Sequence, residues 1–398
     1  MTDHRGWFER TRTMRSIASV IVVIGCLTGR AEPARAQGPA VPAVAQPGAT
    51  EAQQTPRSIA DPALCDGLAA DNRNYRRRIL GPMQDWAGRE LAGLRGDTLL
   101  YPFSGPDAVT ALALFPAVRH LTMLSLQKAS LEQLAPADEE TVAAECDIHR
   151  FFTQTGFFRT LDLDGKERAA APRLLALLLL SLDTAGIRPT AIGAIEVDPN
   201  GSVRDDPARR ILADDSGLFP PAPPPMHDDG TDPKALSGTV RGVRIEGLDG
   251  QGQPRLIDYL SIDLSNAGIR RHSGGRRMIE DRAREAVMIK SGSHLLQSRN
   301  FSNLARIIAH RASTLVQDET GLDIDWLTQF GRLEIHGRFT EPFEFWRDSE
   351  SMARLRSALE FFHLSETPPF PYGYRKPSGT LILVATSDRT PPGPPAQR

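Results

Sequence analysis

Seven consecutive residues, Tyr101-Pro102-Phe103-Ser104-Gly105-Pro106-Asp107, put a hydroxyl, a glycine and a carboxylate within one short turn. An apolar run, Thr98–Tyr101, precedes them and a helix-like stretch, Ala108–Phe115, follows. That is where α/β sheets bind ligands, beyond the carboxyl ends of their strands. Ser104 and Gly105 can offer backbone N–H groups, and Asp107 either meets a ligand or caps the helix. Ser104 is also a conceivable nucleophile, but a nucleophile elbow needs glycine two residues to either side. Pro102 stands in the first of those places. A triad would also need a histidine in reach, from among His120, His294 and His310.

Other stretches carry weaker signals. Tyr259–Asn266 alternates as a strand, which aligns Ser261, Asp263 and Ser265 on one face, as a ligand-facing row or a solvated one. Lys290-Ser291-Gly292-Ser293-His294 follows an apolar run and could supply an anion contact or a general base. Gln317-Asp318-Glu319-Thr320-Gly321, with Asp323 and Asp325 beyond, and Asp162-Leu163-Asp164-Gly165 are oxygen-rich turns without EF-hand spacing. Arg270, Arg271, His272, Arg276 and Arg277 surround Gly274-Gly275 and read as a solvated basic loop, since Glu280, Asp281 and Glu285 follow closely. No second cysteine or histidine stands near Cys65 or Cys146 at ligand spacing, so no metal is expected.

The elements that would position these residues alternate along the chain. Strands are read at His120–Leu126, Thr190–Val197, Gly238–Gly247, Arg255–Leu264, Ala286–Ser291, Ser313–Gln317, Gly331–Phe339 and Thr380–Thr386. Helices are read at Pro172–Ala185, Ile279–Glu285 and Asn303–Arg311. Asp198-Pro199-Asn200-Gly201 and Asp249-Gly250-Gln251-Gly252 are hairpin turns. The pattern predicts an α/β fold, a Rossmann-like layered sheet with helices on its faces and an antiparallel portion toward the C-terminus. Residues 61–389 form a single domain interrupted by a Pro-rich loop at 218–233, with a disordered linker at 37–60 and a disordered tail at 390–398.

The first residues bear on location. Arg5, Arg10, Arg12 and Arg15 precede an apolar run, Ile17–Leu27, and the small-residue site Ala34-Arg35-Ala36, which is the order of a secretory signal at 1–36. Cleavage after Ala36 gives a periplasmic or secreted protein. Val23-Ile24-Gly25-Cys26 also matches a lipobox, and acylation of Cys26 would give an outer-membrane lipoprotein instead. Secretion of an unfolded chain disfavours NAD, ATP or S-adenosylmethionine as a preloaded cofactor. Cys65 and Cys146 remain in the mature chain, either paired as a disulfide or as two buried thiols. The formal net charge of −2 over 398 residues points to no nucleic acid.

The Tyr-Pro-Phe-Ser-Gly-Pro-Asp run, followed by Phe115-Pro116, resembles the signature of a family of uncharacterised exported bacterial proteins. Phe157-Phe158-Arg159-Thr160, Lys290-Ser291-Gly292-Ser293 and Gln317-Asp318-Glu319-Thr320-Gly321 resemble further marks of that family. The resemblance implies one domain and no residue roles. The leading expectation is an envelope protein that binds a small molecule or partner without catalysis, through Ser104, Gly105, Asp107, Asp263 and Lys290. The alternatives are a hydrolase or transferase, including a degenerate methyltransferase-like fold, with its pocket at Ser104 and Asp107, and a structural lipoprotein anchored at Cys26.

Overall fold

The computed structural model describes Cys65 and residues 67–94, 96–159, 172–214, 239–338, 350–360, 364–374 and 379–387, with Leu163 and Phe219. All of them belong to one compact unit, Thr55–Arg398. The expected signal with Cys26 and Ala36, the linker, the tail, Thr160, the Asp162-to-Gly165 turn except Leu163, and the Pro-rich break except Phe219 lie outside the described residues.

Strands β1 (Thr98–Pro102), β2 (His120–Ser125), β3 (Arg188–Val197), β4 (Val203–Leu212), β5 (Val240–Leu248) and β6 (Pro254–Ser261) come from the first part of the chain. The rest are β7 (Ala286–Ile289), β8 (Thr314–Gln317), β9 (Arg332–Gly337), β10 (Leu364–Ser365) and β11 (Leu381–Thr386). They form one eleven-stranded sheet in the order β10-β9-β11-β8-β7-β1-β2-β6-β5-β3-β4. The five strands from β8 to β6 are parallel, so their carboxyl ends share one edge. The expected antiparallel portion toward the C-terminus is β11, and a second, larger one, β6-β5-β3-β4, is built from the hairpins in the middle of the chain.

Helices cover both faces. On one side lie α1 (Leu68–Tyr75), α2 (Gly81–Glu90), α3 (Ala108–Leu114), α4 (Glu139–Thr155) and α5 (Leu174–Ala185). Their Tyr75, Trp86, Leu114, Phe152 and Leu178 share a core with Leu99, Tyr101, Met123 and Tyr259 of the sheet. On the other side are α6 (Asn266–Arg271), α7 (Ser273–Arg282), α8 (Ser302–Arg311), α9 (Ile324–Leu327) and α10 (Glu350–Leu359). Ile269, Met278, Ile308 and Leu355 pack there with Leu100, Leu124, Val287 and Leu315. Strand β1 shows why both layers form: Leu99 and Tyr101 point to one face and Leu100 to the other.

Two sequence readings are corrected. The segment read as a basic loop is helical, as α6 and α7, and the helix read at Ile279–Glu285 starts at Ser273 and ends at Arg282. Gly274 permits this, because a Cβ there would sit 2.1 Å from the Asp198 carbonyl oxygen. Glycine costs helix propensity, and tight packing on the β3–β4 turn outweighs that cost. The expected hairpin partner after Asp198–Gly201 is β4, a charged edge strand that accommodates Pro207 because one of its sides carries no ladder.

The α1–α5 layer is tied by covalent and polar links. Cys65 and Cys146 form a disulfide, Cα to Cα 5.7 Å, that joins the chain before α1 to α4. His149 is fully buried, its Nε2 3.0 Å from Asn72 Oδ1 and 3.1 Å from Thr184 Oγ1. Burial lowers its pKa to about 4, so the ring folds neutral.

Reduction, or Cys65→Ser, should lower unfolding free energy by about 3–5 kcal/mol for a loop of this length, read from denaturant melts with and without reductant. The His149 contribution should be intact above the unfolded-state pKa of about 6.5 and be lost as pH falls toward 4, because the unfolded chain binds the proton more readily. Urea melts should show about 2 kcal/mol lost between pH 7 and pH 5, and His149→Gln should flatten that dependence.

Candidate functional site

After β1 the chain crosses to β2 through α3 on one face, and it later reaches β7, on the other side of β1, through α7 on the opposite face. The order therefore reverses between β1 and β7, and the two loops leaving these strands part there. Such a switch point is where an open α/β sheet has room for a ligand.

Here that room is taken by the chain itself. Lys290 follows β7, and its Nζ donates to Asp107 Oδ2 at 2.5 Å and to Thr110 Oγ1 at 2.6 Å. The Thr110 hydroxyl donates onward to Asp107 Oδ2 at 2.9 Å, and the Tyr101 hydroxyl reaches the same oxygen at 3.3 Å. Asp107 Oδ1 accepts from Thr110 N at 3.1 Å and so caps α3. The Phe152 ring lies 5.6 Å from Lys290 Nζ. Burial, reinforced by the Asp107 charge, pushes the Tyr101 phenol well above its usual range and keeps it a donor.

The loop after β8 completes the closure. Asp318 Oδ2 accepts from Ser291 N at 2.7 Å, and Oδ1 accepts from Thr320 N at 2.9 Å and from the Thr320 hydroxyl at 2.5 Å. Gly292 N donates to Thr320 Oγ1 at 2.7 Å. Burial raises the Asp318 pKa, against the opposing pull of these hydrogen bonds and of Lys290. Residues 370–374 lie across the top as a strap. The Tyr372 hydroxyl donates to the Ile289 carbonyl at 3.3 Å and that of Tyr374 to the Ser291 carbonyl at 2.8 Å. Gly373 has φ +66°, and a Cβ there would lie 2.1 Å from Asp318 Oδ2. Only glycine fits under both conditions. Phe157 packs edge-on to Tyr374 at 5.0 Å, and Phe158 stacks on Phe152 at 4.4 Å.

Backbone strain concentrates in the same place. Among the described residues, those other than glycine with positive φ are Phe103, Ser291, Ser293 and His294, all in the loops after β1 and β7. Each such residue costs on the order of 1–3 kcal/mol. Ser104 Oγ and Ser291 Oγ are buried in these loops without a hydrogen-bond partner. Ser104 is 5% exposed and Asp107 and Lys290 3% each, so all three are closed off from solvent.

Four of the five residues singled out in the sequence thus lie in these two loops: Ser104, Gly105, Asp107 and Lys290. Asp263 does not join them. Strand β6 ends at Ser261, and Asp263 Oδ1 instead accepts from Ser265 N at 2.9 Å in the turn before α6, so the expected polar row is not a strand face. His120 stands at the start of β2, the far edge, 2.7 Å from Asp258 Oδ2. His310 sits on α8 against Trp326, and His294 places Nδ1 2.9 Å from Gln297 Oε1. Tyr372 and Tyr374 carried no local signal, because their partners lie far along the chain, and the bond of Thr110 to Lys290 spans 180 positions.

No protein-family model, curated protein or solved structure matches this chain. The site is therefore read from its own chemistry. A second concavity, a groove of about 830 Å³, lies where β3, β4 and β5 face the loop after β2. Lys128, Glu196, Asp206 and Arg241 line it, and an Arg209–Glu132 ion pair links β4 to that loop.

Removing one member of the Lys290–Asp107 pair strands a buried charge. Asp107→Leu or Lys290→Met should each cost about 3–5 kcal/mol in denaturant melts, whereas the two together should recover most of it. Additive losses in that double-mutant cycle would mean that the two groups do not stabilise one another.

Proposed function

We propose that this chain is an exported cell-envelope protein that binds a small molecule or a partner without turning it over. The observation that carries the non-catalytic part is the occupancy of the switch point by the Lys290–Asp107 pair and the Tyr372–Tyr374 strap. An enzyme using a diffusible nucleotide cofactor keeps this crevice open. The segment order β6-β2-β1-β7-β8-β11-β9, with β11 alone reversed, is compatible with the methyltransferase-like sheet that the sequence suggested, here in a degenerate form. The open groove beside β3, β4 and β5 then offers the larger accessible surface for a ligand. Export rests on the arginines, apolar run and small-residue site of residues 5–36.

A hydrolase or transferase acting at Ser104 is the second reading. It is favoured by the unpartnered Ser104 and Ser291 hydroxyls and by the strained residues around them.

Two measurements separate these readings. Intact mass of the protein from an envelope fraction should give a chain beginning at Gln37 or one acylated at Cys26, and an unprocessed cytoplasmic chain would refute export. Thermal melts with S-adenosylmethionine, nucleotides and ester substrates should show no shift and no turnover. Turnover abolished by Ser104→Ala, with the melting temperature unchanged, would establish the enzyme instead.

A further inference from the structure

The helices α6, α7 and α8 and the turns between them gather positive charge that the whole chain does not show. Residues 266–311 contain ten Lys and Arg against three Asp and Glu, in a chain whose formal net charge is −2. The acidic groups there are already engaged. Glu280 pairs with Arg276 at 2.8 Å, Asp281 with Arg284 at 3.4 Å, and Glu285 accepts from Thr98 N at the opposite edge of the sheet. Lys290 is committed to Asp107.

Arg270, Arg271, Arg299 and Arg306 are exposed and have no ion-pair partner among the described residues. The fold brings them together. Asn266 at the start of α6 donates to the Arg299 carbonyl at 2.8 Å and to Ser302 Oγ at 3.0 Å, and accepts from Asn303 N at 2.8 Å. Arg270 and Arg306 each stand one helical turn beyond those contacts, on elements that touch. Half-buried aromatic rings flank the patch: Phe301 lies at the start of α8, and Trp326 packs against His310 at its end.

We infer that this face docks on an anionic phospholipid surface. Guanidinium groups match phosphate oxygens in paired hydrogen bonds, and the half-buried Phe301 and Trp326 border them. The choice of lipid over another polyanion rests on the envelope location proposed above. It needs no acyl anchor, so it holds for either processing of the signal.

The test is flotation of the full chain carrying Cys26→Ser with vesicles of phosphatidylglycerol in phosphatidylcholine, against phosphatidylcholine alone. Binding should require the anionic lipid and fall steeply between 50 and 500 mM NaCl. Arg270→Gln with Arg306→Gln should weaken it about 25-fold, near fivefold for each cation at the surface, with an unchanged thermal melt. The arginines of residues 5–15 are common to both chains, so the difference reports the patch alone. Equal binding by variant and parent, or no preference for anionic vesicles, overturns the inference. Tight binding to heparin with none to vesicles overturns the lipid assignment. Lipid binding by a chain that fractionates with the cytoplasm would refute export and leave the patch standing.

Discussion

An ammonium group buried away from water must keep a carboxylate within bonding distance, and in this protein that requirement fixes β1 against β7. The desolvation of each ion costs several kcal/mol, so Lys290 and Asp107 are tolerable only as a pair. The Thr110 and Tyr101 hydroxyls share Asp107 Oδ2 with Lys290, and Thr110 N satisfies Oδ1, which sets the start of α3 and holds a core tyrosine. Lys290 is followed by Ser291 and Gly292, whose N–H groups are held by Asp318 and Thr320, so the order imposed at β1 extends to the loop after β8. The strap then closes over a site whose polar groups are already matched. Ser104 Oγ and Ser291 Oγ are among the exceptions within it.

Much of the sheet was legible because its strands are buried on both faces and read as apolar runs between turn residues. Leu381–Thr386 and Ala286–Ile289 are such runs. Other elements were hidden by local chemistry. Strand β4 carries charge along most of its length because it lies at an edge. Helix α7 contains two adjacent glycines that the sequence offers as a loop signal, while the fold uses one of them for close approach to Asp198. The end of β6 was overrun because Asp263 and Ser265 keep the alternation of a strand while serving a turn.

The candidate site was legible as separate pieces. Ser104, Asp107 and Lys290 were each marked by position after a strand, and the loops after β1, β7 and β8 do meet. That they meet as a filled interior was not readable, because the deciding bond joins residues 183 positions apart. The basic face was missed for a related reason. Along the sequence Glu280, Asp281 and Glu285 offset the neighbouring arginines as a group, whereas in space Glu280 and Asp281 are used up on Arg276 and Arg284, Glu285 turns to Thr98 N, and Arg270 and Arg306 are left outward.

The pairing of Leu99 with Ala286 has a consequence for how the chain reaches this state. Strand β1 gains β2 early, but its other neighbour is supplied only after nearly half of the polypeptide has intervened. Contacts of such separation must close a long loop before they return any stabilisation, which slows folding. Until β7 arrives, the middle of the future sheet is an unpaired parallel edge, and Asp107 has no cation. A chain shortened ahead of Ala286 would keep every helix of the first layer and still leave β1 without its second neighbour and Asp107 without its cation.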